Sequence, residues 1–417
     1  MLQEDKQILW RASAVLLGMA LPSILLGKSI VYGLLVLGIF SGLMATKDES
    51  LRATVKLLWN SRITVMVMLL MASLLVGVVI GIDPSFALER WSQVAGILVG
   101  GAALFVAMRE MPGRHLELML KVLAISTVTV AGLALLDALL GDPRLSAAMH
   151  GEEMALTPYR LNFMSSVLAV LLPFVWARLL VKSREGEPFA VRIALPVASF
   201  LFVVAIVCGG RSGWGGLLVG ALIFIVFAGR YHGFVIHKHH WLMGVCLAAG
   251  ALALYAFSFG NEFAVDRMTI IGEADEGRGL LSGRLEVWGQ VLANVWREPF
   301  FGIGVMNYRN LPDAIDLHPH NWFLQILLEG GIVSLVLFVS LLGTMLWRFA
   351  QYAKGSIYGI AAFASVSAFL VSGLAYTSIF NGWWVCFLIV SAIFGWRAGW
   401  NGVDLKKRRR TTVVVKG

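Results

Sequence analysis

Apolar runs close to the length of a membrane span recur from Trp10 to Trp396, and no other property restricts the possible folds as much. An α-helix needs roughly 20 apolar residues to cross the hydrocarbon core, and inside lipid it satisfies its own backbone polar groups. The composition agrees: 58% of the side chains are apolar and 14% are charged, against about 25% charged in soluble domains. The chain therefore reads as an all-α polytopic integral membrane protein, with residues 1–417 forming a single membrane domain. Cys208, Cys246 and Cys386 all sit inside apolar runs and suggest packing rather than a disulfide framework. The N-terminal MLQEDKQILWRAS mixes acidic and basic residues, and no small-x-small cleavage site follows, so the first run reads as a retained span.

Twelve spans are expected: Trp10–Gly27, Ser29–Met44, Ile63–Ile82, Trp91–Met108, Val122–Leu140, Leu161–Val181, Ile193–Cys208, Trp214–Phe227, Trp241–Phe259, Trp322–Trp347, Ser356–Leu374 and Phe380–Trp396. The first pair shares only Lys28 as a connector, and the seventh and eighth are short and joined by GGRSG, so ten spans remain an alternative. Ten of the 34 Lys and Arg residues fall on one side of this arrangement: Lys28, Arg90, Arg144, Arg160, Arg211, Arg267, Arg278, Arg284, Arg297 and Arg309. The rest lie on the side of the two termini, so the positive-inside rule makes both termini cytoplasmic. The net charge of +9 then reflects a basic cytoplasmic tail over residues 397–417, where KKRRR suits anionic lipid better than nucleic acid.

The same topology puts Gly141–Arg160 and a large loop over residues 260–319 outside. Unstructured loops that long are uncommon and usually functional. Within it, SGRLEVWGQVLANVWREPFFGIG predicts an amphipathic helix with Ser282 as N-cap and an apolar face of Leu285, Trp288, Val291, Leu292, Val295 and Trp296. Pro299, Gly302 and Gly304 end it. Arg284 stands in its first turn, where a cation opposes the helix dipole, so an anion docked at that helix start would give it a reason. Arg211, in GGRSGWGG, carries a planar fork suited to phosphate between glycines that allow close backbone approach or a sharp bend; an arginine snorkelling from a helix end is the plain alternative. The loop closes on LHPHNWFLQILLEGG, where His318, His320 and Asn321 precede a span.

HPHNWFLQILLEGG resembles the His-x-His-Asn-x-x-Leu-Gln...Glu-x-Gly signature of the O-antigen ligase and polymerase superfamily. SGRLEVWGQVLANVWREPFFGIG is similar to that superfamily's upstream Arg...Trp...Pro-x-x-Gly-x-Gly element, and GGRSGW to its Ser/Gly-Arg-x-x-Trp element. The resemblance runs from about Tyr159 to Trp347; Gly210 stands where many members carry serine, and Glu-Gly-Gly where many have Glu-Leu-Gly. It implies a multi-span glycosyltransferase of the lipid-linked type, using a glycan on undecaprenyl diphosphate as donor at the periplasmic face of the bacterial inner membrane. For an O-antigen ligase the acceptor is lipid A-core. Carried onto this sequence, the family's functional residues fall at Arg211, Arg284 and His320.

The chemistry asks for the same groups. A departing diphosphate is a polyanion that preorganised cations stabilise, which suits Arg211 and Arg284, with Arg160 as a further candidate. An acceptor hydroxyl needs a base, and histidine is the side chain for it, so His320 is the expected catalytic residue. Inversion by direct displacement is preferred; a covalent glycosyl-histidine is compatible with the same residues. His318 reads equally as a site or a turn residue, Asn321 as a helix cap, and Glu329 as an intramembrane carboxylate with Gln325 one turn away as its partner. No metal and no cofactor is expected: Glu273, Asp275 and Glu276 read as a solvated acidic loop, and His237, His239 and His240 as a solvated run. An O-antigen polymerase or a protein O-oligosaccharyltransferase would use the same donor. A transporter fits twelve spans, but few mid-membrane acids and no visible inverted repeat speak against it.

Overall fold

The computed structural model describes residues 3–139, 159–186, 188–208, 211–233, 284–375 and 377–414. Thirteen α-helices and no β-strand occur among them: α1 (Gln3–Ala20), α2 (Lys28–Ala45), α3 (Asp48–Trp59), α4 (Arg62–Ile80), α5 (Pro84–Glu110), α6 (Gly113–Leu139), α7 (Tyr159–Arg184), α8 (Pro188–Val207), α9 (Arg211–His232), α10 (Arg284–Asn294), α11 (Trp322–Gly355), α12 (Ile357–Gly373) and α13 (Gly382–Val414). Among the described residues eight helices are long and apolar enough to cross a membrane, within α2, α4, α5, α6, α7, α9, α11 and α13; Pro196–Ala205 and Ile357–Gly373 are shorter apolar helices. The described residues thus hold helices and no strand, with the apolar spans of a multi-pass membrane protein. The expected ninth span, Trp241–Phe259, lies outside the described residues.

Two local departures from the expected spans have plain causes. The run Trp10–Gly27 is not one helix: α1 stops at Ala20 and a 3-10 helix, Pro22–Leu26, follows with proline at its start. The connector before Ile63 holds a helix, α3, whose exposed Val55, Leu57 and Trp59 suit the membrane interface. Asp48 and Glu49 fill its first turn and Lys56 its last, matching the helix dipole.

At the centre, α12 packs against α7, α9, α11 and α13. Its small buried residues, among them Gly359, Ala361, Ala364 and Ala368, allow backbones to approach closely, the usual basis of helix packing in lipid. Gly216 of α9 leaves no room for a Cβ against Ala368 and Ser372, and Gly213 none against Ser165 and Ser166 of α7. The glycines after Arg211 therefore serve helix packing, where the sequence suggested ligand approach or a bend. Gly209 and Gly210 lie outside the described residues. At the end of the bundle away from the histidines, buried Arg397 of α13 donates to the carbonyls of Met108 (2.7 Å) and Met111 (2.6 Å), which tie off the last turn of α5.

Candidate active site

The site is built on a broken helix. Gly331 has φ 70° and ψ −179°, so α11 is interrupted at its tenth residue. A break of this kind frees backbone groups that need partners at membrane depth. The segment Pro299–Gly304 lies across it and supplies them. Pro299 and Phe300 carbonyls accept from Ile332 (2.9 Å) and Val333 (3.3 Å), while Ile303 and Gly304 donate to Leu328 and Glu329 carbonyls, both at 3.0 Å. The crossing depends on glycine: a Cβ on Gly302 would overlap the Glu329 backbone, and one on Gly331 would overlap Phe300. On its other side the segment rests on Gly77 of α4, and Ile82 donates to the Ile303 carbonyl at 3.1 Å. The Pro-x-x-Gly-x-Gly and Glu-Gly-Gly elements are thus two halves of one joint.

Glu329 anchors the next stretch. Fully buried, it accepts from the backbone N–H of Met306 (2.8 Å) and Tyr308 (3.2 Å) and from Gln325 Nε2 (3.0 Å). Gln325 also donates to Ser378 Oγ at 2.8 Å and accepts from Ile379 N–H at 3.1 Å, which joins the joint to the turn before α13. These bonds tie Glu329 and Gln325 into the joint. Tyr308 is buried and its hydroxyl donates to Gln290 of α10 at 2.5 Å; burial, ahead of nearby Asp316 and Asp313, holds its pKa above the ordinary value.

The histidine loop follows. Asn321 caps α11, its Oδ1 accepting from Phe323 (3.1 Å) and Leu324 (3.2 Å) N–H. His320 sits at φ 52°, a left-handed conformation uncommon for a residue with a Cβ. Its Nε2 lies 3.1 Å from Oδ2 of Asp316, and its ring is tilted over His318 with centroids 4.1 Å apart. An ionised carboxylate only accepts, so Nε2 carries the proton and Nδ1 is the atom with a lone pair. Burial, then the His320 and Arg309 charges, push the His318 pKa down to about 4 despite Asp316, so His318 is neutral at pH 7. Asp316, His318 and His320 present ligand atoms within 4.8 Å of one another. Zinc accepts such a donor set, while the Asp316–His320 hydrogen bond orients the imidazole by itself.

The expected arginines approach this loop along separate elements. Trp288 of α10 donates Nε1–H to the Pro319 carbonyl at 3.0 Å, and Arg284 lies one turn earlier on the same helix. The helix differs from expectation in its face: Val287 and Val291 are buried, whereas Leu285, Leu292 and Trp296 are exposed, because the loop covers only one side. Ser282 lies outside the described residues, as do Glu273, Asp275, Glu276, His237, His239 and His240. Arg211 opens α9 and Arg160 is in the first turn of α7; nothing of their side chains is described. The parallel packing of Gly213 on Ser165 sets both helix starts at one end. That end is the histidine end, since Gly373, at the close of the antiparallel α12, packs on Trp322, two residues past His320. Asp316 and Arg309 were not singled out from the sequence; the only trace of the first was an acid four residues before a histidine.

Residues 196–339 match the family model described as O-antigen ligase. Over that stretch the chain is similar to the O-antigen ligase family. The matched stretch includes Arg211, Arg284, Asp316, His318, His320, Asn321, Gln325 and Glu329, and excludes Arg160. Two curated proteins are similar to this chain, one from Rickettsia conorii, 27% identical, and one from Rickettsia felis, 28% identical, each over 116 residues. Both are named "putative polysaccharide ligase". Each alignment covers 24% of this chain and 28% of the relative, so the chain matches little more than a quarter of their length.

Proposed function

We propose that the chain is an O-antigen ligase, moving a glycan from undecaprenyl diphosphate onto an outer-core sugar hydroxyl of lipid A-core. The reaction takes place at the periplasmic face of the bacterial inner membrane, with both termini in the cytoplasm. His320 Nδ1 takes the proton of the acceptor hydroxyl while its oxygen attacks the anomeric carbon. The bond from that carbon to the diphosphate oxygen breaks, and its electron pair leaves on polyprenyl diphosphate. Asp316 holds the ring and balances the imidazolium. The charge gathered on the leaving group is met by Arg211 and Arg284, with Arg160 beside them, in place of a divalent ion. The glycosidic centre is inverted by this single displacement.

The observation that carries this reading is the Asp316–His320 contact at 3.1 Å, set one turn from the start of a helix that begins with Arg284. The test is a reconstituted assay with a defined undecaprenyl diphosphate glycan, offered separately to lipid A-core, to a second donor molecule and to a pilin-like peptide. Sugar is expected on lipid A-core. Glycan joined to the second donor would make the chain a polymerase, and glycan on the peptide an oligosaccharyltransferase.

A further inference from the structure

Asp316, His318 and His320 are alternate residues of one loop, and their ligand atoms all lie within 4.8 Å of one another. Two of these groups, Asp316 Oδ2 and His320 Nε2, are 3.1 Å apart. Bonds of about 2.1 Å in a tetrahedral zinc site set neighbouring donors on the order of 3.4 Å apart, so this edge is already close to the length a metal requires. Two imidazoles and a carboxylate suit zinc, whereas magnesium and calcium take oxygen.

The three side chains are held before any ion arrives. Oδ1 of Asp316 accepts from the Leu317 N–H at 2.6 Å, which turns Oδ2 to His320. The Pro319 carbonyl, between the two histidines, accepts from Trp288 Nε1 at 3.0 Å, and Asn321 caps the helix that follows. His320 keeps a φ of 52°, a strained conformation that only its surroundings maintain. His318 Nε2 is buried and has no hydrogen-bond partner among the described residues. A buried ring nitrogen in that state calls for a partner such as an ion. The Asp316 and His320 side chains are 38% and 23% exposed, so an ion can enter from solvent. Arg309 opposes a cation near His318, and the Asp316 carboxylate offsets it.

We infer that this loop is an inhibitory zinc site, with Asp316, His318 and His320 as its ligands. Zinc on Nε2 of His320 displaces the proton that Asp316 accepts there. That proton passes through water to Nδ1, the ring stays neutral, and Nδ1 no longer has a lone pair for an acceptor hydroxyl. Asp316, drawn onto the metal, no longer balances an imidazolium. The metal-free form is the one that transfers glycan. The block rests on the proposed role of His320 as base; the metal site does not.

Binding is tested apart from turnover. The full chain in nanodiscs, stripped with chelator and dialysed, is titrated with zinc chloride, and with magnesium chloride as control. One zinc per chain is expected at the loop, with magnesium far weaker. An outer partner of a metal ligand is already worth about 10- to 100-fold in affinity, so His318→Gln should lose about tenfold or more. Asp316→Asn, read by zinc binding alone, should lose a similar factor. The triple variant His237→Ala/His239→Ala/His240→Ala, which removes the other histidine cluster of the sequence, should bind as wild type does. Cobalt in place of zinc should give a visible absorption band that His318→Gln lacks, folding being checked by thermal midpoint at neutral pH. Zinc should also slow glycan transfer, each rate taken relative to the same protein in chelator, and His318→Gln should need about tenfold more zinc for half inhibition. Wild-type zinc affinity in both loop variants would overturn the site, as would affinity lost in the triple variant; either leaves His320 as the base untouched. Zinc bound at the loop with transfer undiminished would overturn the block and count against His320 as the base.

Discussion

Oδ2 of Asp316 lies 3.1 Å from Nε2 of His320, four residues away across a proline-containing turn. With the carboxylate accepting, the contact places the proton of a neutral ring on Nε2. Asp316→Asn keeps the size of the side chain but removes the charge that supports an imidazolium. Outer partners of this kind are worth about 10- to 100-fold in activity. We expect a drop of that order in kcat with KM nearly unchanged; a loss confined to KM would assign Asp316 to binding instead.

Arg211→Lys and Arg284→Lys should each impair turnover, because a point charge does not reproduce a planar fork on diphosphate. A fall of about tenfold or more corresponds to 1.4 kcal/mol of lost transition-state stabilisation. Normal rates in both would remove them from the leaving group.

His318 sets a pH dependence of stability. Its folded pKa of about 4 lies below the ordinary 6.5, so as pH falls the unfolded chain takes up the proton first. Stability linked to this group is intact above pH 6.5 and is lost as pH falls toward 4, by at most about 1.4 kcal/mol per pH unit. The thermal midpoint of the wild type should fall across that window more steeply than that of His318→Gln. Parallel curves would show that folding does not lower the His318 pKa.

The crossing at the broken helix predicts a contrast between glycines. Gly302→Ala meets both a positive φ of 75° and the Glu329 backbone, and strain alone costs about 1–3 kcal/mol. Gly289, in α10, faces open space, so Gly289→Ala should gain about 0.5–1 kcal/mol. Thermal midpoints and limited proteolysis between Glu298 and His320 read the difference.

Much of this site was legible where the contacts are local. Asn321 as a cap and Gln325 beside Glu329 follow from helix spacing, and both are found. The helix ahead of Pro299 was legible too, but its buried face was not, because the burying surface is a loop distant from it. The glycines of Pro-x-x-Gly-x-Gly and Glu-Gly-Gly carried no visible meaning as a pair until chain segments 28 residues apart crossed, as Gly302 and Gly330 do. The same limit hid Arg90 and Arg309, far apart in sequence, which both lie against the ring of Phe86.

The most direct test of the central claim, that the His320 imidazole drives glycan transfer, is the rate of transfer from undecaprenyl diphosphate glycan to lipid A-core by purified His320→Ala protein. It is run beside wild type with excess chelator, after both have been shown to be folded by thermal midpoint. We predict that the variant loses at least a hundredfold while the chelated wild type keeps its rate. Transfer at the wild-type rate by the variant, or its abolition by chelator alone, would contradict the mechanism.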